Sequence, residues 1–460
     1  MPQPGDVVEK LVSLSKQRGF VYPSSEIYGG LNAVYDFGPL GVRLRRNIRE
    51  RWWRHTVSLR DDVEGIESSI LMNPKVWEAS GHVQSFTDPL VDCTGRCRRR
   101  WREDHLGAER AARGKPEDAP GCPECGGALT PARKFNLMFK TYIGPVQDDA
   151  AQIWLRPETA QGMFVNFANV LNSTRRRIPF GIAQQGRSFR NEISPGNFIF
   201  RLREFEQMEM EFFCKPGTDL EWHRYWCAER WRWHTEEMGV RAANLRLRPH
   251  GADELSFYST ATSDIEYEFP FGWGELEGIA DRTDYDLRTH MEHSGRDLSY
   301  LDPETNERYV PYVIEPAVGV DRIFITLLVD AYDEEDVRGE KRVVLRLHPD
   351  VAPVQVAVLP LSKKPELTEP ARRVEHDLRR AFSTEYDETQ SIGRRYRRQD
   401  EIGTPLAVTF DFDSLTDHAV TIRERDGMAQ VRVPVDGLAD ALRDQLDSSR
   451  QRARARASGT

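Results

Sequence analysis

Cysteine is scarce in this chain: six among 460 residues cannot make a disulfide framework, and four of the six fall in two close pairs. That spacing favours a metal site over oxidative staples. Long apolar runs are missing too. The opening MPQPGDVVEKLVSLSKQRG has neither a continuous apolar core nor a small-residue cleavage site, and no stretch approaches a membrane span, so a cytoplasmic protein is expected. Nor is there an excess of positive charge. A formal net charge of −9 excludes indiscriminate binding to nucleic-acid backbone, which needs Lys and Arg to neutralise phosphates. Local basic surfaces stay open, and internal repeats are absent.

The material that is present suits a soluble globular fold, with 39% hydrophobic and 30% charged residues. A chain of 460 residues exceeds one ordinary core, so two domains are expected. Periodicity predicts helices over 6–18, 42–56, 158–169 and 318–332, and an exposed or half-buried Trp-rich helix over 220–239. Strands are expected over 63–71, 135–142, 186–194, 198–213, 264–269 and 271–281. Residues 91–131 are polar, rich in Arg and Gly, and contain all four paired cysteines; they read as an insertion. An acidic loop is expected over 333–341. Beyond it the pattern changes to alternating strand and helix: VVLRLHPDVAPVQVAVLPL, a helix over 371–384, then PLAVTFDF, HAVTIRERD and QVRVPV, and a final helix over 438–446. That alternation predicts a small α/β domain with a partly parallel sheet. The division is expected near residue 345, giving domains over 1–345 and 346–450 and a disordered basic tail over 451–460.

Two runs carry the chemistry. GRSFRNEIS, residues 186–194, puts Arg190 and Glu192 on one strand face, and FIFRLREFEQMEMEFF, residues 198–213, aligns Arg201, Arg203, Phe205, Gln207, Glu209 and Glu211. Leu202, Met208, Met210 and Phe212 make the opposite, core-facing side. A surface with arginines at one end, carboxylates at the other and an aromatic ring between can bind a triphosphate, stack a base and hold an ammonium group. Cross-strand Arg–Glu pairs stabilising an exposed sheet account for the run alone about as well. Two further stretches favour the functional reading. GWGELEGIADR puts Glu275 and Glu277 on one strand side, suited to a nucleotide-bound divalent ion. EPAVGVDRIF sets small residues Ala317 and Gly319 ahead of Arg322 where a helix begins, so phosphates can approach closely.

FRNE with RLREFEQME resembles the second signature of class II aminoacyl-tRNA synthetases, EPAVGVDR the third, and the helix leading to a strand that ends at Pro74 the first. YDFGPLG, ESSILMNPKVWEASGHV, LRPETAQG and GIADRTDYDL are similar to the homodimeric glycyl-tRNA synthetases, over nearly the whole chain. The resemblance implies an α+β catalytic domain with a mainly antiparallel sheet and a smaller C-terminal α/β anticodon-binding domain. It also implies ATP, Mg²⁺, glycine and tRNA as substrates or partners, and a homodimer joined through the first signature. Arg190, Glu192 and Arg322 are then catalytic: Arg190 on the α-phosphate, Glu192 beside adenine or orienting the Arg, and Arg322 on the γ-phosphate. ATP contacts extend over Asn191, Phe200, Arg201, Leu202, Arg203, Glu204, Phe205, Glu275, Leu276, Gly319, Val320 and Asp321, with Glu275 also beside magnesium. Glycine contacts are implied at Arg102, Glu158, Phe205, Glu206, Gln207, Met208, Glu209, Glu315, Pro316, Ala317, Val318 and Gly319. Ala317 stands where Ser is common in the family, and Gln185 where an aliphatic residue is common.

Cys93, Cys97, Cys122 and Cys125 are expected to hold a structural zinc, since PGCPECGG resembles a zinc knuckle; four reduced thiols are the alternative. Cys214 and Cys227 read as core. SIGRRYRRQDEIGTP offers Arg394, Arg395, Arg397 and Arg398 to tRNA phosphates beside Tyr396, which either packs or stacks on a base; a solvated helix is the bland alternative. Other class II synthetases, for serine, threonine or proline, and a tRNA-binding relative without catalysis are the competing functions. Glu209, Glu315 and the absence of an evident side-chain pocket speak against the first, and intact Arg190, Glu275 and Arg322 against the second.

Overall fold

The computed structural model describes residues 4–459 except 146, 194, 195 and 257; Ser194, the expected strand end, and Thr460, the last tail residue, lie outside it. Its centre is a seven-stranded sheet. In chain order the strands are β1 (Val63–Gly65), β2 (Phe180–Phe189), β3 (Glu204–Cys214), β4 (Leu245–Pro249), β5 (Ala261–Phe269), β6 (Gly272–Thr283) and β7 (Tyr312–Gly319). In space they run β4-β5-β6-β7-β3-β2-β1, antiparallel throughout except for the parallel pair β1 and β2.

Alternation decides what each face of β3 meets. Met208, Met210 and Phe212 turn to one side and join Ile265, Ile279, Ile314 and Val318 in the main core. Helices α1 (Pro4–Arg18), α2 (Pro39–Trp53), α4 (Asp219–Arg232) and α6 (Val320–Ala331) contribute apolar residues to that core. Phe213 turns the other way, into a cluster with Phe164 of α3 (Ala160–Phe164), Phe167, Phe180 and Leu287 of α5 (Tyr285–Ser294). On that side of β3, Phe205, Gln207 and Glu209 also face an open pocket, and Glu211 is buried between them and Phe213.

Sequence periodicity overextends several elements. The 186–194 strand stops at Phe189, and 198–213 begins as a 3₁₀ turn at Phe198–Phe200 before β3 starts at Glu204. Arg190, Glu192, Arg201 and Arg203 therefore lie in the connection between β2 and β3 and not on either strand. The expected strand 63–71 pairs only over Val63–Gly65, with an isolated bridge from Leu71 to Leu155. The 158–169 helix is broken into Ala160–Phe164 and Phe167–Thr174. Trp226 and Trp233 of the Trp-rich segment are fully buried rather than exposed. The acidic 333–341 loop is a hairpin, Tyr332–Val337 against Glu340–Leu345. Its acids are matched by bases on the returning strand, with Lys341 on Glu334, Arg342 on Glu335 and Arg346 on Asp333.

The second sheet orders β9 (Thr384–Tyr386), β8 (Val356–Pro360), β10 (Leu406–Phe410), β11 (Ala419–Glu424) and β12 (Gln430–Pro434). Its first two pairings are parallel and its last two antiparallel. Helix α7 spans Pro365–Leu378, earlier than the 371–384 expected, because Pro365 is tolerated in the first turn where no amide donor is needed. The last helix, α9, spans Leu438–Ser458, so residues 451–458 are helical and not a disordered tail: Arg450 pairs with Asp350, Arg452 with Glu424, and Arg456 donates to the Arg346 carbonyl. Arg395 of α8 (Ile392–Glu401) is buried on the carbonyls of Pro360 and Leu361, Arg398 is engaged with Asp387, and the Tyr396 hydroxyl bonds Thr409. Those three are structural; Arg397 reaches Glu340 at 4.0 Å, and Arg394 is exposed.

Glu277 is the buried charge that fastens α4 to the sheet. It is fully enclosed, with Arg230 Nε and His234 Nε2 each 2.6 Å from one carboxylate oxygen. Burial alone raises a carboxyl pKa, but here Arg230 and His234 outweigh it and hold Glu277 below the ordinary range. Glu277→Ala strands Arg230 without water and is expected to lose about 3–5 kcal/mol in urea unfolding; a loss below about 1 kcal/mol would remove this role.

Candidate active site

Three strands floor the pocket with small residues placed side by side. Glu209 on β3 is opposite Ala317 on β7, which is opposite Gly278 on β6. Ala280 and Gly319 continue the floor. A bulge sets the last part of β6: Glu266 pairs with Glu275 and Ile265 with Glu277, leaving Leu276 as the extra residue. Alternation slips by one there, so Glu275 and Glu277 do not share a side. Glu275 lines the pocket, whereas Glu277 points through to α4.

One end of the pocket is basic and aromatic. Arg190 lies 5.2 Å from the Phe205 ring centre and donates to the Pro157 carbonyl at 3.0 Å. Arg322 at the start of α6 sits 4.8 Å over Phe200 and contacts Glu275 through both its carboxylate and its carbonyl, each at 2.9 Å. Its charge holds the Glu275 carboxyl below the ordinary range. Arg201 approaches Glu192 at 3.5 Å.

The other end is acidic and mostly buried, with Glu209 and Glu315 enclosed and Glu158 half-buried. Glu209 accepts from the Thr159 amide at 3.0 Å and from the Thr159 hydroxyl. Glu158 is held by His82 at 3.2 Å and Gln161 at 3.1 Å, and Glu315 by Arg282 at 2.9 Å. Arg282 also grips both oxygens of Asp286, at 2.8 and 2.9 Å. Burial, together with Glu315 and Glu158, pushes Glu209 well above the usual carboxylate range. Burial also raises Glu315 against the pull of Arg282. For Glu158 the balance is reversed: His82 and Arg282 overcome burial and keep it well below that range. The free pocket therefore holds a graded set of carboxyls, with Glu158 drawn below the ordinary range and Glu209 pushed well above it.

Most expected site residues meet here: Glu158, Arg190, Glu192, Phe200, Arg201, Leu202, Phe205, Gln207, Glu209, Glu275, Leu276, Glu315, Ala317, Val318, Gly319, Asp321 and Arg322 line one cavity. Others do not. Glu206 faces the opposite side and is bound by Arg45 and Arg49 at 2.8 Å each. Met208 and Val320 are core residues. Asn191 donates its amide to the Leu137 carbonyl, Arg203 bonds the Asn32 and Glu192 carbonyls, and Glu204 pairs with Arg187; these three and Pro316 are not among the lining residues. Arg102 is occupied by Asp88 at 3.0 Å and Asp104 at 2.6 Å and does not line the cavity. Runs of neighbouring residues cannot all face one ligand from a strand, which is why the contiguous expectations over 203–209 and 315–320 are thinned by half. Tyr258, Thr262 and Arg282 belong to the site without having been expected. Arg282 was recoverable, because it follows Gly278 and Ala280 at alternate positions on β6.

In the insertion the four paired cysteines converge. Cys93 and Cys125 sulfurs are 3.5 Å apart, Cys97 and Cys122 3.5 Å, and Cys97 and Cys125 3.4 Å, close to the spacing of four thiolates on one tetrahedral ion. A Cβ added at Gly95 would lie 3.2 Å from the Cys125 sulfur. Backbone amides of Cys97 and Gly127 draw the Cys125 thiol down to about 6. Cys122 is drawn down likewise, while burial raises Cys93, and burial with neighbouring sulfurs raises Cys97. Four sulfurs gathered around amide groups fit a zinc ion.

Comparison with known proteins fixes the class first. Residues 139–332 match the tRNA synthetase class II core domain (G, H, P, S and T), and residues 355–445 match an anticodon binding domain. Prolyl-tRNA synthetase from Cryptosporidium parvum, complexed with halofuginone and AMPPNP, superposes with a TM-score of 0.68 over 97% of this chain and 77% of that one; at 15% identity this shows the fold alone. This is the architecture of a class II aminoacyl-tRNA synthetase.

Within that class the relatives are specific. The glycine–tRNA ligase of Caldanaerobacter subterraneus subsp. tengcongensis is 57% identical, covering 95% of this chain and 98% of its own. Those of Thermobifida fusca and Streptomyces coelicolor are 55% and 54% identical, covering 97% and 96% of this chain and 99% of their own. The chain belongs to the glycine–tRNA ligase family. Among the described residues no helix is long and apolar enough to cross a membrane.

Proposed function

We propose that this protein joins glycine to its cognate tRNA in two steps, with ATP supplying the driving force and a glycyl-adenylate between them. The observation that carries the reading is one cavity with three arginines and two phenylalanines at one end, and Glu158, Glu209 and Glu315 together at the other over a floor of Gly and Ala. In the first step a glycine carboxylate oxygen attacks the α-phosphorus, a P–O bond forms, and the bond to pyrophosphate breaks. No strong base is needed, since the nucleophile is already an anion. The work is alignment and neutralisation of charge.

Arg190 takes the α-phosphate, Arg322 the γ-phosphate and Arg201 the outer phosphates. Phe205 offers a ring face to adenine, with Glu192 beside it. Arg322 and Arg201 now rest on Glu275 and Glu192, so ATP replaces carboxylates with phosphates, and Glu275 is released toward ATP-bound magnesium. At the other end the glycine ammonium is received by Glu158, Glu209 and Glu315. Small side chains at 278, 280 and 317 leave room for the backbone of the substrate, and larger amino acids are excluded by overlap. In the second step a terminal ribose hydroxyl attacks the adenylate carbonyl and AMP leaves.

The catalytic domain is placed over 1–345 and the anticodon-binding domain over 346–450, with Arg394 outward for tRNA. Two copies are expected to associate, supported by the hollow between α2 and the 65–71 segment, lined by Trp53, Ile66, Ile70 and half-exposed Leu71. Zinc on Cys93, Cys97, Cys122 and Cys125 would cross-link the insertion and perform no chemistry. The protein is assigned to the cytoplasm.

Amino-acid-dependent exchange of pyrophosphate into ATP, with Mg²⁺ and no tRNA, tests the reading: glycine alone among the common amino acids supports exchange. Arg190→Ala is expected to slow it by about 10²-fold or more, and unchanged exchange would overturn the assignment of Arg190. A further outcome follows from Glu209, which is protonated in the free pocket and ionised beside an ammonium group. Glycine binding then releases a proton, and its affinity rises with pH until Glu209 is ionised in the free protein as well. Calorimetry in buffers of different ionisation enthalpy reads that release directly; none near neutrality removes this part of the account. Purified protein is expected to contain one zinc per chain, lost in Cys122→Ser, whereas a metal-free parent would leave the cysteines as thiols.

A further inference from the structure

Behind the glycine end of the pocket lies a carboxyl that the mechanism above does not use. Glu211 is fully enclosed, and neither of its oxygens has a hydrogen-bond partner in the described structure. Buried polar groups without partners are rare enough to require an explanation. On its strand face Glu211 stands between Glu209 and Phe213, and the β3–β7 register, Glu209 on Ala317 and Phe212 on Ile314, sets it across from Glu315. One oxygen from each of Glu209, Glu211 and Glu315 lies within 4.8 Å of the others.

The groups around this trio leave no free cation for a third negative charge. Arg282 from β6 is committed to Glu315 and to both oxygens of Asp286 on α5. Gln161 from α3 is shared by Glu158, Asp286 and His290, and His82 serves Glu158. On the aromatic side Phe213 packs with Phe164, Phe167 and Phe180. An acid placed between an apolar cluster and two carboxylates can be a donor only as the uncharged form, a use of buried acids known from catalytic sites.

We propose that Glu211 is a positioning residue for glycine recognition: it stays a neutral carboxylic acid and donates its proton to Glu209 or Glu315, holding them toward the ammonium group. Burial and the charge of Glu315 push its pKa well above the ordinary range, in the same direction. This rests on the reading that glycine is the substrate. The ammonium then meets two ionised carboxylates aimed by a third, uncharged one, instead of three mutually repelling charges.

The test compares Glu211→Gln and Glu211→Leu with the parent in pyrophosphate exchange. The amide keeps a neutral donor of the same shape, so E211Q should keep the KM for glycine within about threefold and its pH profile unchanged. E211L removes the donor and should raise the glycine KM by roughly tenfold or more with the ATP KM unchanged. With glycine bound, so that Glu209 is ionised, an infrared carbonyl stretch of a protonated carboxylic acid that is present in the parent and lost in E211Q gives a readout that survives if E211L does not fold. Loss of glycine affinity in E211Q equal to that in E211L, a shifted pH profile in E211Q, or no such infrared band would overturn the proposal. So would a glycine KM in the parent that depends on added K⁺ or Na⁺, since a cation would then occupy the trio in place of the proton. A parent inactive with glycine but active with another amino acid would instead refute the substrate reading, independently of Glu211.

Discussion

The catalytic half depends on the way its sheet carries more acid than base on one buried face. Glu158, Glu209, Glu211, Glu315 and Asp286 are gathered there against Arg282 and His82. Such an excess is tolerable only if some carboxyls are protonated and others tightly partnered. Strand register achieves this: β6 delivers Arg282 beside Glu315, while Glu209 is left for Thr159 and a proton. That unfilled demand for positive charge is what the proposed recognition of an ammonium group draws on. Burial that would be a liability in an inert sheet becomes the source of affinity.

The same sheet shows how a single backbone irregularity divides structural from chemical work. Without the bulge at Leu276, Glu275 and Glu277 would point the same way and compete for Arg322. With it, Glu275 meets Arg322 in the pocket, and Glu277 anchors Arg230 and His234 below. Two neighbouring acids are thereby held ionised by different cations on opposite sides of the sheet.

Much of this was legible in the sequence because it rests on alternation. The faces of β3 followed from Phe205, Gln207 and Glu209 against Met208, Met210 and Phe212, and the α/β pattern of the second domain followed from its spacing. The bulge was not legible, since GWGELEG contains nothing to distinguish a slipped strand from a regular one. Contacts from distant segments, such as His82 on Glu158 or Arg45 on Glu206, have no local signal either. Arg395 and Tyr396 illustrate a third limit. A run of arginines reads as a surface for polyanions, yet backbone carbonyls ending a parallel strand are as strong a claim on a guanidinium. The basic tail was misread for a related reason, because each of its ion pairs lies with residues remote in the chain.

The buried triad around Asp400 has a mechanical meaning. Asp400 is fully enclosed between Arg342 of the hairpin and Arg423 of β11, at 2.8 to 3.1 Å, and α1 reaches the same helix through Arg18 and Glu401. Prising the two halves apart would take Arg342 from Asp400 and leave Arg423 as its remaining cation, so separation gives up a buried charge contact. The two halves are thereby tied at one separation by charge contacts that cross between them. A nucleic acid that spanned both would meet two surfaces already spaced.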